Sequence, residues 1–204
     1  MIRAVALTLA LATPAAAQEF PFEGPLGTYD PAQLQRGAEV FVGTCAACHG
    51  LRHVTIRSLA NGDGPAMDPS AMAEGLGLAV TDHFPPSALP EAPDLSLMAK
   101  AWGGLTGDGG ARAIRAYLEG YTGAEREDGG VFLYENPAAP EGWVAMPPVA
   151  LEGGEATDVA AFLQWAADPN LVERRRTGLV AIGFLALLAG LLFATVRSVW
   201  RQPR

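Results

Sequence analysis

Hydrophobic and polar positions fall into three regimes along this chain. Ala4 to Ala12 is an apolar run behind the positive start Met1-Ile2-Arg3, and Pro14-Ala15-Ala16-Ala17 ends in an A-x-A pattern before Gln18. That is the layout of a cleaved secretory signal, residues 1–17. As a retained anchor the run would be too short for a hydrocarbon core of about 30 Å. Near the other end, Thr177 to Val196 is twenty residues without a charge. At about 1.5 Å rise per residue that run spans a bilayer, which predicts a transmembrane helix over about 177–196. Arginines flank it on both sides, Arg174, Arg175 and Arg176 before and Arg197, Arg201 and Arg204 after, which argues against a buried core helix. Three basic residues on each side leave the positive-inside rule mute, so orientation follows from the signal.

Between these ends, residues 18–173 form one domain of ordinary size for a single core. Asp30, Pro31 and Gln33 mark a helix start, and Leu34, Ala38, Phe41 and Cys45 then recur at helical spacing. A second helix is predicted behind Asp94, through Leu95 to Trp102. A third covers Ala111 to Glu119, with Ile114, Tyr117 and Leu118 inward and Gly120 as its stop. A fourth runs from Thr157 to Ala167, where Val159, Phe162, Leu163 and Ala166 share one stripe. Pro169 interrupts it, and a new helix begins near Leu171 and continues into the membrane segment, a joint too short for free swing. Segments 50–93 and 121–156 are rich in Gly and Pro and lack sustained periodicity. Both read as loops with short helical turns, and no β-rich segment or internal repeat stands out. The expected fold class is mainly α: one domain with long loops, plus one C-terminal transmembrane helix.

Charge sharpens this division. All 22 acidic residues lie in 18–173 against seven basic ones, which gives that segment −15 where the whole chain carries −8. Such a surface repels nucleic acid and attracts a basic partner over long range, besides keeping the domain soluble.

Chemistry concentrates at Cys45-Ala46-Ala47-Cys48-His49, a C-x-x-C-H box. Two thiols three apart on one turn can each form a thioether to a haem vinyl group, and the adjacent imidazole can bind the iron. A thioredoxin-like dithiol would need a βαβ setting. Structural zinc would need four ligands, and the chain has only these two cysteines and three histidines, His49, His53 and His83. A plain disulfide would leave the histidine unexplained and close too small a loop. The box therefore predicts covalent haem c, and the expected fold class becomes mainly α, a single-haem cytochrome-c-like domain with long loops plus one C-terminal transmembrane helix.

An electron carrier needs a second axial ligand, and thioether favours ferrous iron. Met67 and Met72 lie in the first loop, Met98 on the second helix, and Met146 in Val144-Ala145-Met146-Pro147-Pro148. The two prolines restrain the backbone at Met146, but methionine is more often a gap filler, so chemistry alone leaves the choice open. His53 is too near the box to reach the opposite haem face, and His83 reads as a solvated loop residue.

Gly27-Thr28-Tyr29-Asp30, Leu34-Gln35-Arg36-Gly37, the haem box, Pro93-Asp94-Leu95-Ser96-Leu97, Gly120-Tyr121, Ala145-Met146-Pro147-Pro148 and Phe162 to Ala167 occur here in the order seen in one family. With Glu173-Arg174-Arg175-Arg176-Thr177-Gly178 and the membrane helix, the chain resembles cytochrome c1 over nearly its whole mature length. That resemblance implies an electron-carrying subunit of a ubiquinol:cytochrome c oxidoreductase, not an enzyme on its own. Its haem takes an electron from the Rieske iron-sulfur protein, beside a haem b subunit, and passes it to cytochrome c. The same likeness implies thioethers at Cys45 and Cys48, His49 as proximal ligand and Met146 as distal ligand. It implies a haem domain in the periplasm of a bacterial-type cell, one pass through the inner membrane and a cytoplasmic C-terminus. Three departures stand out. The stretch from the box to Pro93 is short for the family, and Gly50 replaces a usual serine. Trp102 stands where many members carry an arginine associated with the haem propionates, leaving Lys100, Arg112 or Arg115 to balance that charge. A membrane-anchored c-type shuttle would share box and anchor, and a haem peroxidase would leave one axial position open or add a second haem.

Overall fold

Asp30 opens the first helix because its carboxylate accepts the Ala32 amide at 3.0 Å and Pro31 presets helical φ. The computed structural model describes residues 19–104 and 109–201, so the predicted signal lies outside the described residues. Helix α1 spans Pro31–Gly43 and buries Leu34, Gly37, Ala38 and Phe41. It packs mainly on α5, Glu155–Ala167. Where they cross, a β-carbon on Gly37 would sit 2.1 Å from the Asp158 carbonyl oxygen and 2.7 Å from Phe162 Cβ. Only a hydrogen fits there. Phe41 lies against Phe162 with ring centroids 5.9 Å apart, and Arg36 clasps Asp158 through two bonds of 2.7 and 3.1 Å at the rim.

The stripe expected on α5 understates its burial, since every residue from Val159 to Ala167 is buried. The reason is its central place: α1 packs on it from one side, and α3 (Met98–Trp102) and α4 (Gly110–Glu119) also pack on it. The α4 prediction holds, with Ile114 buried and Tyr117 and Leu118 half-buried. The helix predicted behind Asp94 starts later than expected, at Met98; the Asp94 carboxylate accepts the Ser96 amide as a cap would, and its other oxygen takes the Arg52 amide. A 3₁₀ turn forms at Cys45–Ala47, and within the first long loop another forms at Ile56–Ala60. A short helix, α2 (Pro69–Leu76), is capped by Asp68, whose carboxylate accepts the Ser70 amide at 2.8 Å.

The second long loop holds structure that periodicity did not announce. A three-stranded antiparallel sheet joins β1 (Glu125–Asp128), β2 (Val131–Glu135) and β3 (Trp143–Val144) in that order. Asp128 pairs with Val131 across a Gly129-Gly130 turn, and both glycines have positive φ, 61° and 86°, as a two-residue hairpin turn requires. Tyr134 pairs with Glu125 on one side and Val144 on the other. Strand β1 reads Glu-Arg-Glu-Asp and is exposed throughout, so no apolar alternation could reveal it.

Helix α6 runs Leu171–Trp200, and only Asp168, Pro169 and Asn170 separate it from α5. The joint is fastened by polar bonds. The nearly buried Asp168 carboxylate pairs with Arg174 at 2.6 Å and Lys100 at 3.8 Å, and its carbonyl accepts the Tyr29 hydroxyl at 3.0 Å. Arg175 donates to the Phe22 carbonyl. Beyond the joint, α6 is long and apolar enough to cross a membrane, and its most apolar window, of mean hydropathy 2.6, has no buried residue.

Replacing Gly37 with valine should force α1 and α5 apart and lower unfolding stability by about 2–3 kcal/mol. Urea denaturation followed by helical circular dichroism measures it.

Candidate haem site

The box sits where α1 ends. The Thr44 amide still bonds to Val40 oxygen, and the chain then tightens into a 3₁₀ turn whose Cys45 carbonyl accepts the amides of Cys48 (3.1 Å) and His49 (2.9 Å). One turn thus carries both thiols and the imidazole. Cys45 and Cys48 are free and partly buried, and Cys45 packs against the core. Burial, with the Cys48 thiol beside it, pushes the Cys45 thiol up to about 11, so it is a neutral thiol at neutral pH.

His49 is fastened from a distance in sequence. Its Nδ1 lies 2.8 Å from the Pro93 carbonyl oxygen. A carbonyl only accepts, so Nδ1 carries the proton and the lone pair is left on Nε2, the tautomer of a metal-binding histidine. A strap of residues 93–96 makes this contact possible. The Leu95 amide bonds to Gly50 oxygen at 2.9 Å, the Ser96 hydroxyl accepts the His53 amide at 3.1 Å, and the Asp94 carboxylate accepts the amides of Arg52 and Ser96, each at 3.0 Å. Desolvation alone would raise the Asp94 carboxyl; the Ser96 hydroxyl, those two amides and the Arg52 charge outweigh it and hold it below the ordinary range. On the other flank, the Cys48 carbonyl accepts the Ala88 amide at 3.1 Å and the Leu51 amide bonds to Pro85 oxygen at 3.1 Å.

The four methionines among the described residues separate by packing. Met67, Met72 and Met98 pack against the helical core, and the first two line a groove of about 430 Å³ between α1 and α2. Met146 is half-buried and outside that core cluster, two residues beyond β3 and directly before Pro147-Pro148. Its carbonyl accepts the Tyr121 hydroxyl at 3.0 Å. Tyr121 meets Tyr117 edge-on at 5.9 Å, and Tyr117 meets Trp102 at 5.4 Å. This row ties the Met146 segment through α4 to α3, whose leading strap holds His49. His53 and His83 are exposed, and His83 lies opposite Thr55 in an isolated bridge.

The donor set suits haem. Among the described residues no group of three or more His, Cys, Asp or Glu converges to hold a bare metal ion. Iron bound here must bring most of its own ligands, as a porphyrin does, and two free thiols beside an imidazole fit its covalent form. Leu97 and Trp102, on the strap and the helix that follows it, expose large apolar side chains of the kind a flat apolar group covers.

Comparison with known proteins decides the family. The profile described as "Cytochrome C1 family" matches residues 20–88 and 86–203. The chain belongs to the cytochrome c1 family. "Cytochrome c1" of Cereibacter sphaeroides is 36% identical over 242 aligned positions, covering 89% of this chain and 85% of that protein. "Cytochrome c1" of Rhodospirillum rubrum is 30% identical, covering 92% and 88%. "Cytochrome b/c1" of Bradyrhizobium diazoefficiens is 29% identical over 89% of this chain and 35% of its own length. Members of the family are electron-transfer subunits with covalently bound haem c.

The departures noted in the sequence now have physical content. An alignment of 242 positions exceeds the 204 residues of this chain, so the Cereibacter protein has segments absent here. The family match divides at residues 86–88. That stretch lies on Gly50, where a β-carbon would be 2.3 Å from Pro86 C and Ser87 N, which accounts for the glycine. Each of the three cations expected to balance the propionates is paired: Lys100 with Asp168, Arg112 with Glu23, and Arg115 with Glu19 and Glu119. What the sequence did not reveal is the Pro93 carbonyl, since every residue has one, and the hydroxyl of Tyr121.

Because the Asp94 carboxyl is held low in the fold, it stabilises the strap above the unfolded carboxyl range near pH 4 and loses that effect as pH falls through its lower folded value. Asp94→Ala should therefore cost about 1–3 kcal/mol at pH 7. Urea titrations at pH 7 and pH 3 should show the gap from wild type closing at the lower pH.

Proposed function

We propose that this chain is the membrane-anchored electron carrier of a quinol:cytochrome c reductase, with haem c joined to Cys45 and Cys48 and its iron held by His49 and Met146. The observation that carries this is the His49 Nδ1 contact to the Pro93 carbonyl, on a turn that also presents two free thiols. When bound, the haem supplies a one-electron ferric/ferrous couple. The chain does the rest. Cys45 and Cys48 anchor the group, and the strap at Pro93 and Asp94 keeps the imidazole oriented. The sheet and Pro147-Pro148 restrain the backbone that carries the Met146 thioether, whose softness favours the ferrous state and raises the potential. No residue needs to exchange a bond with a substrate, so the subunit carries electrons and is not an enzyme alone.

Its partners are the haem b subunit and Rieske iron-sulfur protein of the same complex, and cytochrome c as acceptor. The name "Cytochrome b/c1" joins the two haem subunits in one relative, which supports the first pairing. The excess of acidic residues in 18–173 supports a basic acceptor. Residues 1–17 direct export and are removed, 18–173 form the periplasmic haem domain, and 174–204 anchor it in the inner membrane with the last residues in the cytoplasm. A free shuttle is disfavoured by the joint, where three residues and the Asp168 ion pairs hold α6 on the domain.

Purification in mild detergent should yield a complex with a redox-difference spectrum containing both haem b and haem c. Met146→Leu should lower the haem c midpoint potential and open the ferrous iron to carbon monoxide. An unchanged potential and no carbon monoxide uptake would remove Met146 from its role.

A further inference from the structure

The segment carrying Met146 is held by little apolar packing. Among the described residues, none from Gly120 to Asp158 belongs to the buried core cluster, and β3 is only two residues long. Ala145, Pro147 and Pro148 around Met146 are exposed. Its position must then come from hydrogen bonds, and two side chains supply them. Asn136, fully buried, donates from Nδ2 to the Tyr117 carbonyl at 2.7 Å and accepts the Ala138 amide at 3.1 Å through Oδ1. Its own amide donates to Gly142 oxygen at 2.9 Å, so the turn from β2 to β3 is hooked to the end of α4. Tyr121 holds the far end, donating to the Met146 carbonyl at 3.0 Å.

We propose that Tyr121 is a positioning residue for the distal ligand: its hydroxyl, on a ring braced by Tyr117, fixes the Met146 backbone so that the thioether stays where it binds iron. The idea rests on the reading of Met146 as that ligand. Three features make Tyr121 suited to the task. It directly follows Gly120, the cap of α4, so a helix end sets its backbone. Its ring meets Tyr117 at 5.9 Å with planes at 76°, and Tyr117 is itself backed by Trp102, so the ring cannot turn freely. Its partner is a carbonyl oxygen, which only accepts, so the hydroxyl is committed as the donor of that bond. A thioether is uncharged and binds iron through a single sulfur lone pair, so the anchoring of the backbone beside it bears directly on how often the ligand leaves.

Three haem-loaded variants test this: Tyr121→Phe, Tyr134→Phe as a hydroxyl deletion in the same sheet, and Met146→Leu as reference. Each is read by haem content, midpoint potential and carbon monoxide uptake by the ferrous form. Tyr121→Phe should retain full haem, since the thioethers are untouched, yet shift the potential downward toward that of Met146→Leu. Its fraction open to carbon monoxide should rise about 2- to 10-fold, the equilibrium change that one neutral hydrogen bond supplies. Tyr134→Phe should match wild type. An unaltered potential and uptake in Tyr121→Phe, beside a changed Met146→Leu, would overturn the Tyr121 assignment alone. Loss of haem from Tyr121→Phe, or an equal shift in Tyr134→Phe, would overturn it too, as a general loosening. If Met146→Leu changes neither quantity, the ligand reading itself fails.

Discussion

A metal-binding histidine is oriented through its other ring nitrogen, and in His49, the proposed iron ligand, that nitrogen is tied by the bond from Nδ1 to the Pro93 carbonyl. Residues 44 positions apart must meet for it to form. The surrounding structure answers that demand. Asp94 and Ser96 bind the amides of Arg52 and His53, Leu95 binds Gly50, and Gly50 lacks a side chain because residues 85–87 press against it. Behind the box, the close crossing of α1 on α5 at Gly37 fixes the helix from which the turn springs. A local five-residue motif is thus made usable by long-range contacts, each of them a hydrogen bond or a steric fit with a named partner.

Much of this was legible in the chain itself, and the limits have physical causes. The Asp30-Pro31 start, the buried face of α1, the α4 span, the break at Pro169 and the run into α6 all follow from capping chemistry and period. Burial on all sides of α5 was not readable, because its alanines fit equally well on an open face or in a crowded centre. The sheet escaped notice because β1 has four exposed charged residues, and its turn at Gly129-Gly130 lies in a loop already rich in glycine. Asp94 looked like a helix cap and does take the Ser96 amide, but its other oxygen binds an amide 42 residues back and the helix begins only at Met98. At the site, the box declared itself by spacing. Pro93 could not, since its part is played by a carbonyl, and among the methionines the resemblance pointed to Met146 while packing sets Met67, Met72 and Met98 against the core.

The same polar economy shapes the attachment to the membrane. Arg174 and Arg175, which on charge counting alone leave the orientation of α6 undecided, are engaged by Asp168 and the Phe22 carbonyl at the base of the domain. Lys100 joins them at Asp168 from α3, the helix that also bears Trp102. Elements that hold the site and elements that hold the anchor therefore share residues, and the domain is carried on its helix as a fixed body. For an electron carrier in the proposed setting, such fixity keeps the donor and acceptor faces at constant height above the bilayer, while the acidic surface attracts a partner from solution.

The account stands or falls on whether Cys45 and Cys48 carry a porphyrin. Protein produced in cells able to mature c-type haem should be digested and the peptide containing residues 45–49 weighed by mass spectrometry. The account predicts that peptide to be heavier by one haem, with no titratable thiol remaining. A peptide of unmodified mass, with free thiols or a disulfide, would contradict it.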